Sequence, residues 1–183
     1  LGHSFPTRRS SDLLAHFIRD ERIDLLLDAT HPYAAQISQN AVTAAHLSGI
    51  PCWALRRPAW AAQPDDDWRE VGDWAELITA LEPFKRPLFT LGREPLQHLH
   101  EIPAHQFWTL RALDDYPGNE RCEVIGARGP FVLDDERALF ERRSIDVLIS
   151  KNSGSSATEP KLEVARQRGV PVLILRRPVL RSE

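Results

Sequence analysis

Gly49-Ile50-Pro51-Cys52-Trp53-Ala54-Leu55-Arg56-Arg57-Pro58 and Gly169-Val170-Pro171-Val172-Leu173-Ile174-Leu175-Arg176-Arg177-Pro178 are two copies of one segment, identical at six of ten positions. Upstream, Ile23-Asp24-Leu25-Leu26 answers Ile145-Asp146-Val147-Leu148, and each is preceded by a helix-like segment containing Phe17 or Phe140. A helix, strand, helix, strand unit therefore occurs twice in 183 residues, a length that by itself allows one large domain or two small ones. Each unit has the pattern of βαβ. Residues 23–28, apolar except for Asp24 and Asp28, are read as a parallel strand buried on both faces. Pro32 suits the first turn of the following helix, whose Ile37, Ala41, Ala44 and Ala45 make a narrow face; Gly49 ends it and Pro51 opens the next strand. In the second copy residues 147–150 are the strand, Thr158 the N-cap, 159–168 the helix and Gly169 its end. Between the copies, Asp73 caps a helix over 74–82. Pro87 to Leu91 start another strand, followed by Gly92 and a helix with Pro95 near its start.

The expectation is an α/β fold of two Rossmann-like or flavodoxin-like parallel-sheet domains with a ligand cleft between them, the first domain incomplete. The boundaries are 13–84 and 85–183. Residues 1–12, LGHSFPTRRSSD, are Ser/Arg-rich without an apolar core and are expected to be a non-native or disordered segment. The chain contains no methionine and begins with Leu, so it is expected to be the trailing part of something longer. About 50 residues, from Pro87 to Ala138, precede the duplicated unit in the second domain, against about 14 in the first; the opening strand and first βα turn of the first domain, where a dinucleotide's phosphates would sit, have no counterpart.

Composition narrows the classes of function. The 23 basic and 26 acidic residues leave a formal net charge of −3, with no overall attraction for nucleic acid or an anionic membrane, and no stretch approaches the ~18 apolar residues of a membrane span. Cys52 and Cys122 form no CxxC and sit in apolar contexts, which argues against zinc or a disulfide framework and fits a reducing cytoplasm. No metal site is expected: Asp65-Asp66-Asp67 is a solvated turn whose neighbourhood offers no further ligands. Only Lys85, Lys151 and Lys161 are lysines, so arginine is the default cation here.

In open parallel sheets, ligands bind beyond the carboxyl ends of the strands. Four loops qualify: Asp28-Ala29-Thr30-His31-Pro32-Tyr33-Ala34, Thr90-Leu91-Gly92-Arg93, Ala127-Arg128-Gly129-Pro130-Phe131 and Ser150-Lys151-Asn152-Ser153-Gly154-Ser155. The first puts a carboxylate, a hydroxyl and an imidazole at a helix start, where either an anion is favoured or Thr30 or His31 simply caps the helix. Lys151-Asn152-Ser153-Gly154 can present an ammonium and several N–H donors to carboxylates or phosphates. Lys161, in the first turn of the next helix, opposes the helix dipole unless an anion compensates it. Trp53, Trp60, Trp68 and Trp74 either wall a flat substrate or, more ordinarily, anchor a long loop to its own domain.

DATHPYA with Asn40-Ala41 downstream, LRRPAW, TLGR, ARGPF and SKNSG…KL, in this order from about residue 13 to the C-terminus, resemble the precorrin-6A reductase family of cobalamin biosynthesis. Two departures stand out: the family's N-terminal GGT-type strand and turn, with the glycine-rich segment after it, and the second glycine after KNS, where Gly154-Ser155 stands. The resemblance implies an NADPH-dependent oxidoreductase that reduces one double bond of the precorrin-6A macrocycle, with or without cobalt, to give precorrin-6B. It implies Thr30, His31, Pro32, Gly92 and Arg93 for the cofactor. For the carboxylate-rich tetrapyrrole it implies Arg111, Arg128, Gly129, Lys151, Asn152, Ser153, Gly154 and Lys161. His31, Tyr33, Lys151 and water are the alternative proton donors. Catalysis is expected to be mostly orientation of the hydride in the cleft of a cytoplasmic monomer. The rival expectations are a non-catalytic two-lobed module binding a small anion, and a reductase or epimerase of another carboxylated substrate.

Overall fold

The computed structural model describes residues 7–179. Two compact units divide at Pro58: the described residues up to Pro58 together with Arg177 onward, and Ala59–Arg176. The division thus falls at residue 58 instead of near 84. The physical reason is strand pairing, since β3 (Trp68–Val71) lies parallel to β8 (Val172–Leu175), with Trp68 opposite Val172 and Val71 opposite Leu175.

The first unit contains α1 (Thr7–Asp20), β1 (Leu26–Asp28), α2 (Ala35–Ser48) and β2 (Cys52–Ala54). Ser11, Ala15 and Ile18 fall on one face of α1 by their spacing. Ala15 and Ile18 pack with Ala44 of α2, joined by Leu14, Ile23, Leu26 and Ile50. Residues 7–12, expected to be disordered or foreign, are therefore helical, and Ser11 is buried; residues 1–6 of that segment lie outside the described residues. β1 is also shorter and more open than the apolar run suggested. Leu26 joins the helix core, but its neighbours Leu25 and Leu27 are 41% and 57% exposed because successive side chains alternate faces. Phe17 is exposed where its counterpart Phe140 is fully buried.

The second unit is one six-stranded parallel sheet in the order β3-β8-β7-β4-β5-β6. Its strands are β3, β4 (Pro87–Thr90), β5 (Trp108–Ala112), β6 (Cys122–Gly126), β7 (Val147–Lys151) and β8. Helices α3 (Trp74–Leu81), α4 (Leu133–Arg143) and α5 (Pro160–Arg168) connect them, with 3-10 helices at Glu94–Glu101 and Ser156–Thr158. Adjacent strand residues supply two cores. Phe89, Val147, Ile149 and Leu173 pack with Leu77, Leu81, Trp108 and Leu110 on one face. Leu88, Leu148, Val172 and Ile174 pack with Phe140, Leu162 and Val164 on the other. This is doubly wound packing, which is why the strands are nearly continuous apolar runs.

The sequence repeat is a repeat of geometry. Leu26 stands opposite Cys52 as Leu148 stands opposite Val172, all in parallel register. The amides of Leu26 and Leu148 donate to the carbonyls of Pro51 and Pro171, each at 3.0 Å. Gly49 and Gly169 close their helices in the left-handed region, at φ 69° and 63°. Helix starts agree less well: Asp73 Oδ1 accepts the Glu76 amide at 2.9 Å as expected, but α2 begins at Ala35 without a side-chain cap, and α5 follows Glu159 instead of Thr158.

Candidate functional site

In the second unit the chain moves from β4 to β5 and β6 toward one edge and from β7 to β8 toward the other, so strand order reverses between β4 and β7. At such a switch point the connecting loops diverge and leave a crevice beyond the strand ends. Thr90 ends β4 opposite Ser150 of β7, which places Thr90–Arg93 and Ser150–Gly154 on either side of that crevice. Gly92 adopts φ +72°, a conformation that turns the loop at little cost only for glycine. Arg93 follows it, exposed and with no ion-pair partner among the described residues. Lys151 Nζ contacts Glu94 Oε2 at 3.0 Å and the Leu91 carbonyl at 3.5 Å, tying the two loops together.

The Lys151–Gly154 loop is more internally committed than an open anion cradle. Asn152 accepts the Trp60 amide at 2.7 Å and donates to the Trp60 carbonyl at 3.0 Å. Ser153 is buried, accepts the Ser155 amide and sits 3.3 Å from the Thr158 hydroxyl. Gly154 takes φ +67°.

Beneath the loops is a buried charge cluster. Arg111, on β5, is 7% exposed and ion-paired at 2.9 Å with Glu136 of α4, itself 2% exposed; its guanidinium also lies 4.3 Å from the Phe131 ring centre. Arg111 is therefore neutralised within the protein, unlike the solvent-facing cation that the sequence suggested. Lys161, 6% exposed, donates to Thr90 Oγ1 at 2.9 Å and lies 5.9 Å from the Trp60 ring centre. Burial above all, then the nearby Arg111 charge, pushes the Lys161 amine down to about 7, with Glu136 opposing. Arg128 is exposed and reaches Asp114 at 3.3 Å, while the loop around Gly129 is held by the Phe131 amide donating to Ala157 O at 3.0 Å.

In the first unit Asp28 is structural. Its Oδ1 accepts the Thr30 amide at 3.0 Å and the Thr30 hydroxyl at 2.6 Å, and its Oδ2 accepts Arg56 at 2.5 Å. The Arg56 guanidinium holds the carboxyl well below the usual carboxylate range, against the opposing pull of burial. His31 is exposed and its Nδ1 accepts the Tyr33 amide at 3.2 Å; Pro32 is buried between them and Tyr33 is partly exposed. Neither Thr30 nor His31 caps α2. The first turn of α2 has no side-chain cap.

Of the tryptophans, Trp60, Trp68 and Trp74 pack against the cores of the second unit, as loop anchors would; Trp53 is 64% exposed on β2. The middle of the acidic run is not solvated, because Arg166 binds the 1%-exposed Asp66 carboxylate at 3.0 Å. Thr90 entered the sequence reading only as the first residue of one of the four loops, with no role of its own. Glu136 was not legible as a site residue, being one of three acids in the first turn of α4.

Fold and strand ends together define a doubly wound α/β protein with a topological switch point between β4 and β7 and buried charged side chains beneath its loops. A family model described as precorrin-6x reductase CbiJ/CobK matches residues 6–183, and the chain belongs to that family. It is 42% identical over 173 residues to a precorrin-6A reductase of Rhodococcus erythropolis, covering 93% of this chain and 69% of that one. It is 44% identical over 171 residues to a precorrin-6A reductase of a Sinorhizobium species, covering 91% and 65%. The chain thus spans about two thirds of the length of these relatives. A solved structure of CobK precorrin-6A reductase superposes with a TM-score of 0.86 at 32% identity, over 94% of this chain and 70% of that one.

Proposed function

We propose that the protein is an oxidoreductase that reduces one double bond of the precorrin-6A macrocycle, giving precorrin-6B, with NADPH as the reductant, as a cytoplasmic monomer. The observation that carries this reading is the family membership of a chain with Arg93 and Lys151 on the two loops at its strand-order reversal, cations suited to a carboxylate-rich ligand. The cobalt-free macrocycle is favoured, because identity to precorrin-6A reductases reaches 44% against 27% and 25% for the cobalt-precorrin-6A reductases of Priestia megaterium and Salmonella typhimurium.

A dinucleotide is compatible with the residues present. The α2 first turn has no side-chain cap and lies next in sequence to the half-exposed Thr30 and the exposed His31. Within the first unit Thr30, His31 and Pro32 would hold it, and when bound it would supply the hydride. The protein's own contribution is binding and orientation. Among the described residues no helix is long and apolar enough to cross a membrane. The test is nicotinamide absorbance on mixing protein, NADPH and precorrin-6A. Oxidation that needs both protein and macrocycle is expected; binding of carboxylated ligands without any turnover would instead show a non-catalytic module.

A further inference from the structure

Building on the reductase reading, we propose that Thr90 and Lys161 form the proton donor of the reduction, the Thr90 hydroxyl presenting the proton at the crevice and Lys161 resupplying it from beneath. Thr90 is partly exposed at the carboxyl end of β4, at the point where strand order reverses. Its Oγ1 accepts a hydrogen bond from Lys161 Nζ at 2.9 Å and donates one to the Ile149 carbonyl at 2.8 Å. A protonated lysine carries three N–H donors. Thr90 is the one hydrogen-bond acceptor that Lys161 has among the described residues, so its remaining N–H groups meet no acceptor. Trp60 lies against the amine and is itself fastened by both amide atoms of Asn152.

The charged groups facing Lys161 are Arg111 on β5 and Glu136 on α4, and they are spent on each other at 2.9 Å. The amine therefore has no carboxylate of its own and exchanges its proton near neutrality, as a useful donor must. Lys151, by contrast, is ion-paired with the Glu94 carboxylate at 3.0 Å.

The chemistry balances as follows. The double bond takes a hydride at one carbon from the dihydronicotinamide, which is oxidised, and the electron pair of the broken π bond gathers at the neighbouring carbon. The Thr90 O–H, turned from Ile149 O toward the crevice, breaks and its proton forms the new C–H bond. One Lys161 N–H breaks to restore the hydroxyl, and the neutral amine left behind regains a proton from water. Thr90 is the catalytic residue; Lys161 acts through it.

Three variants, Thr90→Val, Thr90→Ser and Lys161→Arg, test this by single-turnover NADPH oxidation with precorrin-6A across pH, with macrocycle affinity measured separately. Thr90→Val and Lys161→Arg are expected to slow the reduction about 100-fold with affinity nearly unchanged, and Thr90→Ser to restore it. The wild-type rate should fall as pH rises through about 7, and Lys161→Arg should lose that limb. A readout without turnover is available because the chain has three lysines: NMR of the labelled lysine side chains should show Lys161 titrating near 7. Thr90→Val and Lys161→Arg rates within about threefold of wild type, or a Lys161 signal that titrates like an ordinary lysine, would overturn the donor assignment while leaving the reductase reading intact. Absence of macrocycle-dependent oxidation in the wild type would overturn the reductase reading and the donor with it.

Discussion

Asp28 and Arg93 show how one strand-end position can be structural and another available for ligand. Asp28 is buried, and its two carboxylate oxygens are taken by Thr30 and Arg56. Asp28→Asn should cost about 2 kcal/mol in urea unfolding at neutral pH, because the Arg56 guanidinium loses its charged partner. The pH dependence has a definite sign. Because the folded-state pKa is lowered, the contribution is complete above the unfolded carboxyl value of about 3.9 and is lost as pH falls below it. The stability gap between wild type and Asp28→Asn should therefore close in acid. Arg93, exposed and without an ion-pair partner among the described residues, should behave oppositely: Arg93→Ala leaves unfolding unchanged and weakens ligand affinity about 10-fold or more, as loss of a charge-assisted hydrogen bond does. Unchanged affinity for both NADPH and macrocycle would remove Arg93 from the site.

At the scale of elements, helix ends and strand register carry the duplication. Gly49 and Gly169 were legible because a left-handed helix end excludes most side chains, and both adopt it. Gly169→Ala, with nothing within 4 Å of the added methyl group, isolates that backbone cost and should lower stability by about 1 kcal/mol in thermal or urea unfolding. The Asp73 cap was legible for a similar reason, since its carboxylate accepts the Glu76 amide three residues on. The start of α2 was not legible: Thr30 and His31 have capping chemistry, but Thr30 is drawn back onto Asp28 and Ser38, and the helix starts at Ala35. The 13–84 and 85–183 division failed at one element. β3 is close in sequence to the first copy, yet its hydrogen-bonding edge pairs with β8, and nothing local in Trp68–Val71 announces that partner.

For the whole molecule, the two units differ in how much backbone they secure. The second has six parallel strands with cores on both faces, whereas the first has, among the described residues, two short strands with Leu25 and Leu27 left open. Two strands alone are marginal in water. Native-state hydrogen exchange should therefore find the amides of β4 and β7 the most protected and those of β1 and β2 exchanging through lower-energy opening. Equal protection in both units would contradict this ranking.

The sequence by itself determined the repeated βαβ unit, the parallel α/β class, the family and the loops that reach the strand ends. Those properties rest on local rules: apolar runs for doubly covered strands, glycine for left-handed ends, proline at element starts. Only the tertiary structure decided which cations remain available to a ligand. Arg111 and Lys161 look alike as basic residues near strand ends and helix starts. One is neutralised by Glu136, 25 residues away in the chain; the other is buried against Thr90, 71 residues away. The charge that a side chain shows depends on solvent and on partners brought from distant segments, and a linear pattern holds no record of either.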